Sequence, residues 1–368
     1  MDDMFRFTDD LGPAKIIHIH QAAVPLRAIL VVDNVAAGPS IGGARLAPDV
    51  SVDECFRLAR AMTLKNAAAG LPHGGGKSVI FGDPAMPAAD KERLIRAFAQ
   101  AIRDIRDYII GPDMGTDERS MAWAKDEIGR AVGLPRELGG IPLDEIGATG
   151  FGLAAAGGVA QEFCDVRLDG ARVAVQGFGA VGQHAARYLA EKGAVLVAAS
   201  DSQGMVSDPA GLDLAALRAH KAAGGHVADF PGATAGDRDA IIDVDCDILI
   251  PAARPDVIDA GNAGRLKARL ILQGANIPVT AEAEALLHAR GVLSIPDFIA
   301  NAGGVICAAV EYAGGSQSTA LAAIEEKVAH NTWAVLDRAA ANGTASREAA
   351  LAMAVERVRA ASALRRFG

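Results

Sequence analysis

A run of glycines that leads directly into a lysine is the part of this chain best suited to chemistry. The run spans Gly70–Lys77, and the strand-like Ser78-Val79-Ile80 follows it. A second lysine, Lys65, lies twelve residues before Lys77, near the end of a predicted helix over residues 52–69. Glycine lets the backbone approach a ligand closely, and desolvation can lower the pKa of a lysine towards neutrality. One lysine can therefore hold a carboxylate while the other acts as a base.

Two other interpretations of the glycine run compete with this one. A phosphate-binding loop requires G-x-x-x-x-G-K-[ST] at the start of a helix. Here Gly70 and Gly75 have the required spacing, but Gly76 follows, so Lys77 comes one residue later than the motif requires. A strand rather than a helix is also predicted to follow. A nucleotide loop is therefore disfavoured, whereas a structural turn with a surface lysine stays open on this segment alone.

Composition limits the class of protein. The chain has 368 residues, of which 51% are hydrophobic, so two domains can each bury a core. A net charge of −9 argues against a nucleic-acid-binding surface. Four scattered cysteines without a C-x-x-C pair predict buried thiols in a reducing compartment, with no disulfide and no metal site. Neither a signal region nor an 18-residue apolar run is present, which predicts a cytoplasmic protein.

Apolar runs and helical periodicity alternate along the first 145 residues, as in α/β proteins. A small-residue helix over residues 148–163 and an apolar strand over 172–176 follow, and the strand is typical of a parallel sheet buried on both faces. The other predicted strands are 15–20, 27–33, 78–81, 194–199, 248–250 and 269–272, and the other predicted helices are 52–69, 89–105, 183–192, 317–342 and 345–361.

A glycine motif, G-x-G-x-x-G, lies between the strand over 172–176 and the helix over 183–192. The motif is weak alone but specific in this context, because its glycines admit a pyrophosphate to the helix N-terminus. A tight turn without a ligand is the alternative. The predicted cofactor contacts are Gly177, Gly179, Ala180, Val181 and Gly182.

Asp201 lies nineteen residues past Gly182, where an acid meets the ribose hydroxyls of a dinucleotide. No Arg or Lys follows until Arg218, so a 2′-phosphate would meet a carboxylate without a nearby cation in the sequence. NAD is therefore favoured over NADP. Two later strands end next to Ala252 and Asn276, and such loops line the ligand crevice of parallel sheets. Asn276 would then bind the nicotinamide amide, or it is a turn or cap residue.

A candidate acid follows the apolar Tyr108-Ile109-Ile110. Asp113, within Gly111–Thr116, is therefore predicted at a strand end, although aspartate is also common in turns. The predicted pieces are together two lysines, one acid and a nicotinamide-binding fold.

The chain resembles the glutamate/leucine/phenylalanine/valine dehydrogenase superfamily. The matching segments occur in the family's order: 42–45, 62–67, 72–77, 111–116, 149–152, 177–182, 274–276 and 301–305. The resemblance implies an α/β fold with an N-terminal substrate and oligomerisation domain (1–145) and a Rossmann dinucleotide-binding domain (146–310), with the active site in the cleft between them. C-terminal helices (311–368) cross back toward the first domain in this family. A homo-oligomer built through the N-terminal domain is also implied.

The resemblance also implies roles for the reactive side chains. Lys65 would bind the substrate α-carboxylate, Lys77 would be the low-pKa lysine that activates water, and Asp113 would pass protons to and from the amine. The other implied contacts are Asn301 and Gly42 to the amino acid, and Thr149 and Asn276 to the nicotinamide amide. All the expected reactive side chains are present, which disfavours a non-catalytic NAD-binding protein.

Two positions bear on the substrate. In glutamate members of the family, a lysine before Gly-Gly and a serine seven residues past the Asn of N-A-G-G hold the γ-carboxylate. Here these positions are Ile41 and Ala308, and burying an unpaired carboxylate there would cost on the order of several kcal/mol. We therefore expect reversible NAD-dependent deamination of an apolar L-amino acid, of the leucine or valine type, to the 2-oxo acid and ammonia. Residues 111–123, and especially 113–118, resemble the glutamate members more than the leucine members, so glutamate is an alternative, as is phenylalanine.

Overall fold

The computed structural model describes residues 5–366 and divides into two compact units. The first unit comprises residues 5–142, 305–320 and 352–366, and the second comprises 143–304 and 321–351. The first boundary thus falls at residue 142 rather than 145, and residues 311–366 are shared between the units instead of forming one segment. Helical periodicity predicts a helix but does not show which core its apolar face will cover.

The first unit contains a five-stranded mixed sheet. Its strands are β1 (Lys15–Gln21), β2 (Leu26–Val32), β3 (Ser40–Ala47), β4 (Gly74–Phe81) and β5 (Tyr108–Pro112). The spatial order is β1-β2-β4-β3-β5, with β3 parallel to both β4 and β5. Residues that follow β5 are therefore close to the middle of β4, because β3 pairs with both strands.

The helices of the first unit are α1 (Val52–Ala68), α2 (Ala88–Ala101) and α3 (Glu118–Ile128). Helix α1 begins where the Ser51 side chain accepts a hydrogen bond from Glu54 N. Helix α3 begins at Asp117 with a capping box and ends at the left-handed Gly129. Aliphatic side chains of the sheet and of α2 and α3 form the main core of this unit.

Residues 74–77 of the glycine run lie within a strand, which corrects the sequence interpretation. A strand was predicted only from Ser78, but β4 begins at Gly74. A Cβ at Gly74 would lie 1.7 Å from Asn34 O, and one at Gly75 would lie 2.0 Å from Thr63 N. These glycines are therefore required for close packing of α1 and the neighbouring chain against β4, not for a turn.

The second unit contains a seven-stranded, mainly parallel sheet. Its strands are β6 (Arg172–Gln176), β7 (Val195–Ser200), β8 (Met205–Ser207), β9 (Thr234–Gly236), β10 (Ile248–Pro251), β11 (Leu270–Leu272) and β12 (Leu293–Ile295). The order is β12-β11-β10-β6-β7-β8-β9, and only β8 and β9 are antiparallel to their neighbours. The strand order reverses beside β6, and such a reversal opens a ligand crevice at the carboxyl ends of the strands.

Six helices lie wholly in the second unit: α4 (Leu143–Ile146), α5 (Ala148–Ala160), α6 (Ala180–Ala190), α7 (Leu214–Ala222), α8 (Ala281–Ala289) and α9 (Asp297–Ala300). The other helices with residues in this unit are α10 (Gly303–Tyr312), α11 (Gln317–Asn342) and α12 (Ser346–Ser362), which continue into segments of the first unit. Helix α5 packs closely on α6, since a Cβ at Gly150 would lie 2.5 Å from Ala185 N.

Three properties of residues 5–366 bear on the predicted class of protein. None of the helices there has the length and apolar character to cross a membrane. No group of three or more His, Cys, Asp or Glu side chains in the same residues can hold a metal ion. The four cysteines are unpaired; Cys164 is half-buried rather than buried as predicted.

Candidate active site

Lys77 and Asp113 form a buried ion pair in the first unit. Lys77 Nζ contacts Asp113 Oδ2, and the two side chains are 8% and 17% exposed. Strand β3 explains the contact, because Ala44 pairs with Ser78 of β4 and with Pro112 of β5. The structure thus brings together two residues that the sequence singled out separately.

The Asp113 carboxylate is held on several sides. Met114 N donates to its Oδ1 at 2.8 Å, and Arg45 Nε lies 3.5 Å from its Oδ2. Burial would raise the pKa of Asp113, but the Lys77 ammonium, the Met114 amide and the Arg45 guanidinium together lower it. The carboxylate is therefore ionised and can accept a proton. Arg45, itself ion-paired with Glu54, was missed as a site residue although it lies in a matched segment of the sequence.

Gly43 leaves room for this ion pair. A Cβ at Gly43 would lie 2.9 Å from Asp113 Cβ and 3.3 Å from Lys77 Nζ. At Gly42, a Cβ would lie 1.6 Å from Gly76 O, so no side chain fits there. Both glycines of the Gly-Gly pair are therefore explained by close packing around β4.

Lys65 lies half-buried in the last turn of α1. Its neighbours fix that turn: Asn66 Nδ2 donates to Gly74 O at 2.7 Å, and Thr63 Oγ1 donates to Asp33 Oδ2 at 2.6 Å. The turn is thus tied to β4 and to the end of β2. The role of Lys65 as the binder of the substrate carboxylate stays a prediction.

Ile41 and Ala308 belong to one apolar cluster of the first unit. Ile41, Ile109 and Val132 are buried together, and the partly buried Ala308 of α10 packs against them. One turn later on α10, the buried Glu311 accepts hydrogen bonds from the amides of residues 134 and 141, at 3.1 and 2.8 Å. These bonds fix the helix that carries Ala308.

The β6–α6 turn of the second unit fits a dinucleotide. Gly177 has φ 93°, and a Cβ at Gly182 would lie 2.2 Å from Gly177 O, so both positions need glycine. A Cβ at Gly179 would meet nothing within 4 Å, and the N-terminus of α6 there has no side-chain cap. Open space beside uncapped helix amides, which include those of Ala180 and Val181, suits a pyrophosphate.

A cavity of about 530 Å³ adjoins this turn. It is lined by the glycine motif, by the ends of β6 and β10, by Asp201 and by three basic residues. The lining residues that bear on cofactor binding are Gly177, Gly179, Asp201, Ala252, Lys221, Arg238 and Arg254.

Asp201 has a cationic partner, which the sequence argument did not foresee. Lys221 Nζ donates to Asp201 Oδ2 at 2.6 Å, and the amides of Val227 and Gln203 each donate to the carboxylate at 2.9 Å. Burial would raise the pKa of Asp201, but these hydrogen bonds lower it. The expectation that no cation is near Asp201 holds along the sequence only, because α7 returns Lys221 to the end of β7.

Three further residues predicted as contacts lie in different segments: Asn276 in the loop after β11, Asn301 directly after α9, and Thr149 in α5. Asn301 Nδ2 lies 3.2 Å from Asn276 Oδ1 and also donates to Gly274 O and Ala275 O. Within residues 5–366, Asn301 Oδ1 is buried and has no hydrogen-bond partner, which suits a ligand donor. Thr149, in the first turn of α5, has its Oγ1 3.5 Å from the position of a Cβ at Gly304.

Sequence comparison places this chain among amino acid dehydrogenases. The family "Glutamate/Leucine/Phenylalanine/Valine dehydrogenase" matches residues 139–366, and "Glu/Leu/Phe/Val dehydrogenase, dimerisation domain" matches residues 18–130. A glutamate dehydrogenase of Aeropyrum pernix is 40% identical over 355 residues, which cover 90% of this chain and 85% of that protein. An NADP-specific glutamate dehydrogenase of Saccharolobus shibatae is 38% identical over 76% of this chain and 69% of its own length.

Solved structures agree with this placement. The Leu-bound form of the hetero-hexameric glutamate dehydrogenase from Thermus thermophilus has a TM-score of 0.83 and 30% identity over 96% of this chain and 90% of its own. The L-tryptophan dehydrogenase of Nostoc punctiforme has a TM-score of 0.74 and 25% identity over 95% and 97% of the two chains. The predicted resemblance and the predicted α/β fold are both confirmed. This chain belongs to the glutamate/leucine/phenylalanine/valine dehydrogenase family.

Proposed function

We propose that this chain catalyses the reversible oxidative deamination of an L-amino acid to the 2-oxo acid and ammonia, with a nicotinamide cofactor. The buried ion pair of Lys77 and Asp113 carries the proposal, because it joins a base and an acid in one partly enclosed site. The test is to mix single L-amino acids with NAD or NADP and to follow the absorbance of the reduced nicotinamide. A protein that reduces neither cofactor with any amino acid would contradict it.

Each reactive side chain has a defined task in this proposal. A bound nicotinamide cofactor would supply the oxidant that takes the hydride from the substrate Cα. Before that step, the Asp113 carboxylate accepts a proton from the substrate ammonium, so that loss of the hydride leaves an iminium ion. Water adds to the iminium carbon and passes a proton to Lys77 in its neutral form. Asp113 returns its proton to the amine, the C–N bond breaks, ammonia leaves, and the proton of the remaining hydroxyl passes to the Asp113 carboxylate, which Lys77 contacts. Lys65 holds the substrate carboxylate by charge.

Removing the charge of Asp113 should stop proton transfer while keeping the shape of the side chain. We expect Asp113→Asn to lower kcat by roughly 100-fold or more, as is usual for acid–base residues. Steady-state kinetics over a range of substrate concentrations measure this. Asp126→Asn, on an exposed aspartate of the same unit, is the matched control and should have normal kcat. A change in KM alone would make Asp113 a binding residue.

Acid stability gives a second readout for Asp113. Because the pKa of Asp113 is lowered from the ordinary value of an aspartate, its ionised carboxylate stabilises the fold above the unfolded-state pKa of about 3.9. That contribution is lost as the pH falls through the folded-state pKa. The unfolding free energy of Asp113→Asn should therefore depend less on pH in acid than that of the wild type. Identical pH dependence in the two proteins would contradict the lowered pKa.

Two substrate classes are candidates, each with its own support. The relatives favour glutamate over leucine or valine, since three of them, at 38–40% identity, are glutamate dehydrogenases. The cluster of Ile41, Ile109, Val132 and Ala308 supports an apolar amino acid instead, because all four side chains are aliphatic. The ratio of kcat/KM for glutamate to that for leucine decides between them.

For the cofactor we propose NAD. Asp201 uses its carboxylate to accept three hydrogen bonds, so one of its roughly four lone-pair positions remains for a ribose hydroxyl. The same charge would repel a 2′-phosphate. Lys221 weakens this repulsion of the 2′-phosphate, because its ammonium neutralises part of the Asp201 charge.

Asp201 should therefore control the choice between NAD and NADP. We expect Asp201→Ser to raise the NADP/NAD ratio of kcat/KM about tenfold, because Lys221 becomes available to a phosphate. Adding Lys221→Ala should reverse most of this gain. The measurement is kcat/KM for both cofactors in the wild type and the two variants. A wild type that already prefers NADP would refute the role of Asp201.

We also propose a homo-oligomer. Support comes from the match of residues 18–130 to a dimerisation domain, and the hetero-hexameric structural neighbour supports assembly into an oligomer. Light scattering of the purified protein measures the assembly, and a monomer at micromolar concentration would contradict it.

A further inference from the structure

Ile277, in the loop that follows β11, has a backbone conformation that β-branched residues rarely adopt. Its φ is 44°, in the left-handed region where a Cβ crowds the backbone. Its side chain is 55% exposed, so packing of that side chain does not hold the conformation. Other contacts must hold it. The preceding residue is Asn276, which we propose as the contact to the nicotinamide amide.

Backbone bonds hold one side of this loop. Ile277 O accepts a hydrogen bond at 3.0 Å from Asp256 N, and Asp256 is itself left-handed, with φ 53°. The amides of residues 274 and 275 donate to Pro251 O at 3.0 and 2.9 Å. The loop after β11 is thus bonded to the loop after β10. The amide of Ile277 donates at 2.8 Å to a side chain, Asp297 Oδ2.

Asp297 depends on Arg347. Asp297 is 5% exposed, and its Oδ1 accepts a hydrogen bond from Arg347 Nη2 at 2.8 Å. A buried carboxylate is unfavourable unless a cation pairs with it. Arg347, in the first turn of α12, supplies that cation, while Oδ2 of the same carboxylate holds the Ile277 amide.

Arg347 also reaches the start of the same loop. Its Nη2 donates to Gln273 Oε1 at 2.7 Å, and Gln273 directly precedes Gly274. Gln273 Nε2 and Arg347 Nε both donate to Glu284 Oε1, at 2.6 and 3.0 Å. One guanidinium thus contacts Gln273 at the start of the loop and, through Asp297, Ile277 at its end. The planar, forked donor of arginine suits this, whereas the single ammonium of lysine does not.

We propose that Arg347 is a positioning residue for the cofactor. Together with Asp297 it fixes both ends of loop 273–277 and so sets the orientation of Asn276 toward the nicotinamide amide. The proposal rests on the proposed function, specifically on Asn276 as the nicotinamide contact. Asn301 adds to the same arrangement, since its Nδ2 lies 3.2 Å from Asn276 Oδ1.

Two ligands separate this role from a general effect on the fold. NAD carries the nicotinamide ring, whereas ADP-ribose has the same pyrophosphate and adenosine without it. We expect Arg347→Met to raise the Kd for NAD about tenfold and the Kd for ADP-ribose less than about twofold, because only the nicotinamide contact is lost. Calorimetric titration of the full-length protein measures both constants. Equal weakening of the two ligands, or no weakening of either, would overturn the proposal.

Matched variants keep the result interpretable. Arg290→Met is the control. It removes another arginine of the second unit, whose Nη2 donates to Leu266 O at 2.7 Å rather than to loop 273–277. This variant should leave both Kd values unchanged. Arg347→Lys keeps the charge and loses the fork, so the Kd for NAD should rise about threefold with little change for ADP-ribose. If Arg347→Met does not fold, Arg347→Lys is tested in its place. Equal weakening of NAD and ADP-ribose, or no weakening of either, would again overturn the proposal.

Hydrogen exchange distinguishes failure of this proposal from failure of the proposed function. Amides 274, 275 and 277 should exchange faster in Arg347→Met than in the wild type, without any ligand present. Unchanged exchange would overturn the positioning role whatever the cofactor affinities are. An Asn276→Ala variant tests the nicotinamide contact separately, because an unchanged Kd for NAD in that variant would refute the role of Asn276.

Discussion

Lys77→Ala should reduce kcat by about 1,000-fold or more while leaving cofactor binding nearly unchanged. The lysine is expected both to accept the proton of water and to polarise the substrate carbonyl, and each effect is typically worth roughly 100-fold or more. Its side chain lies in the first unit, whereas the glycine motif and Asp201 lie in the second. The measurements are kcat for the preferred amino acid and Kd for NAD.

The same substitution leaves Asp113 buried without its main partner. Removal of one member of a buried ion pair costs about 3–5 kcal/mol, so loss of activity must be separated from unfolding. The double variant Lys77→Ala/Asp113→Asn has no unpaired charge, and we expect it to recover most of the stability without recovering turnover. Lys192→Ala, on an exposed lysine, is the control for the loss of a lysine. Activity above about a tenth of the wild type in Lys77→Ala would refute the general-base role.

The two reactive residues of the candidate site could each be predicted from the sequence. Asp113 and Lys77 were each placed by a local pattern, an apolar run before the acid and a glycine run before the lysine. The contact between them follows from the pairing of β3 with both β4 and β5, which is a property of the sheet. The turn from β6 to α6 was likewise predictable, because its glycines serve local geometry and ligand approach.

The missed residues depend on contacts between distant segments. Lys221 reaches Asp201 from α7, and Arg347 reaches Asp297 from α12. A charged residue on a helix is usually a solvated one, so neither position carried a signal that marked it as a partner. The same cause explains the error at the glycine run: close packing of α1 on β4 requires Gly74 and Gly75, and no local pattern distinguishes that requirement from a turn.

The second large effect concerns substrate choice. Ile41→Lys with Ala308→Ser would place a cation and a hydroxyl in the cluster that Ile109 and Val132 line. The ammonium can then pair with a γ-carboxylate, whereas an aliphatic substrate would leave it buried and unpaired. A difference of a few kcal/mol corresponds to roughly 100-fold in kcat/KM for each substrate. The ratio of kcat/KM for glutamate to that for leucine should therefore rise by about 1,000-fold or more.

Single variants and a third substrate make this result decisive. Ala308→Ser alone adds a hydroxyl without a charge and should change the ratio by less than about tenfold, because a neutral hydrogen bond contributes only about 1 kcal/mol. Phenylalanine reports on size, since it is apolar like leucine but larger, and its kcat/KM should fall with that of leucine in the double variant. If the wild type already prefers glutamate, as its relatives suggest, then Ile41 and Ala308 do not line the pocket that binds the substrate side chain. The γ-carboxylate must in that case meet a cation from another part of the chain.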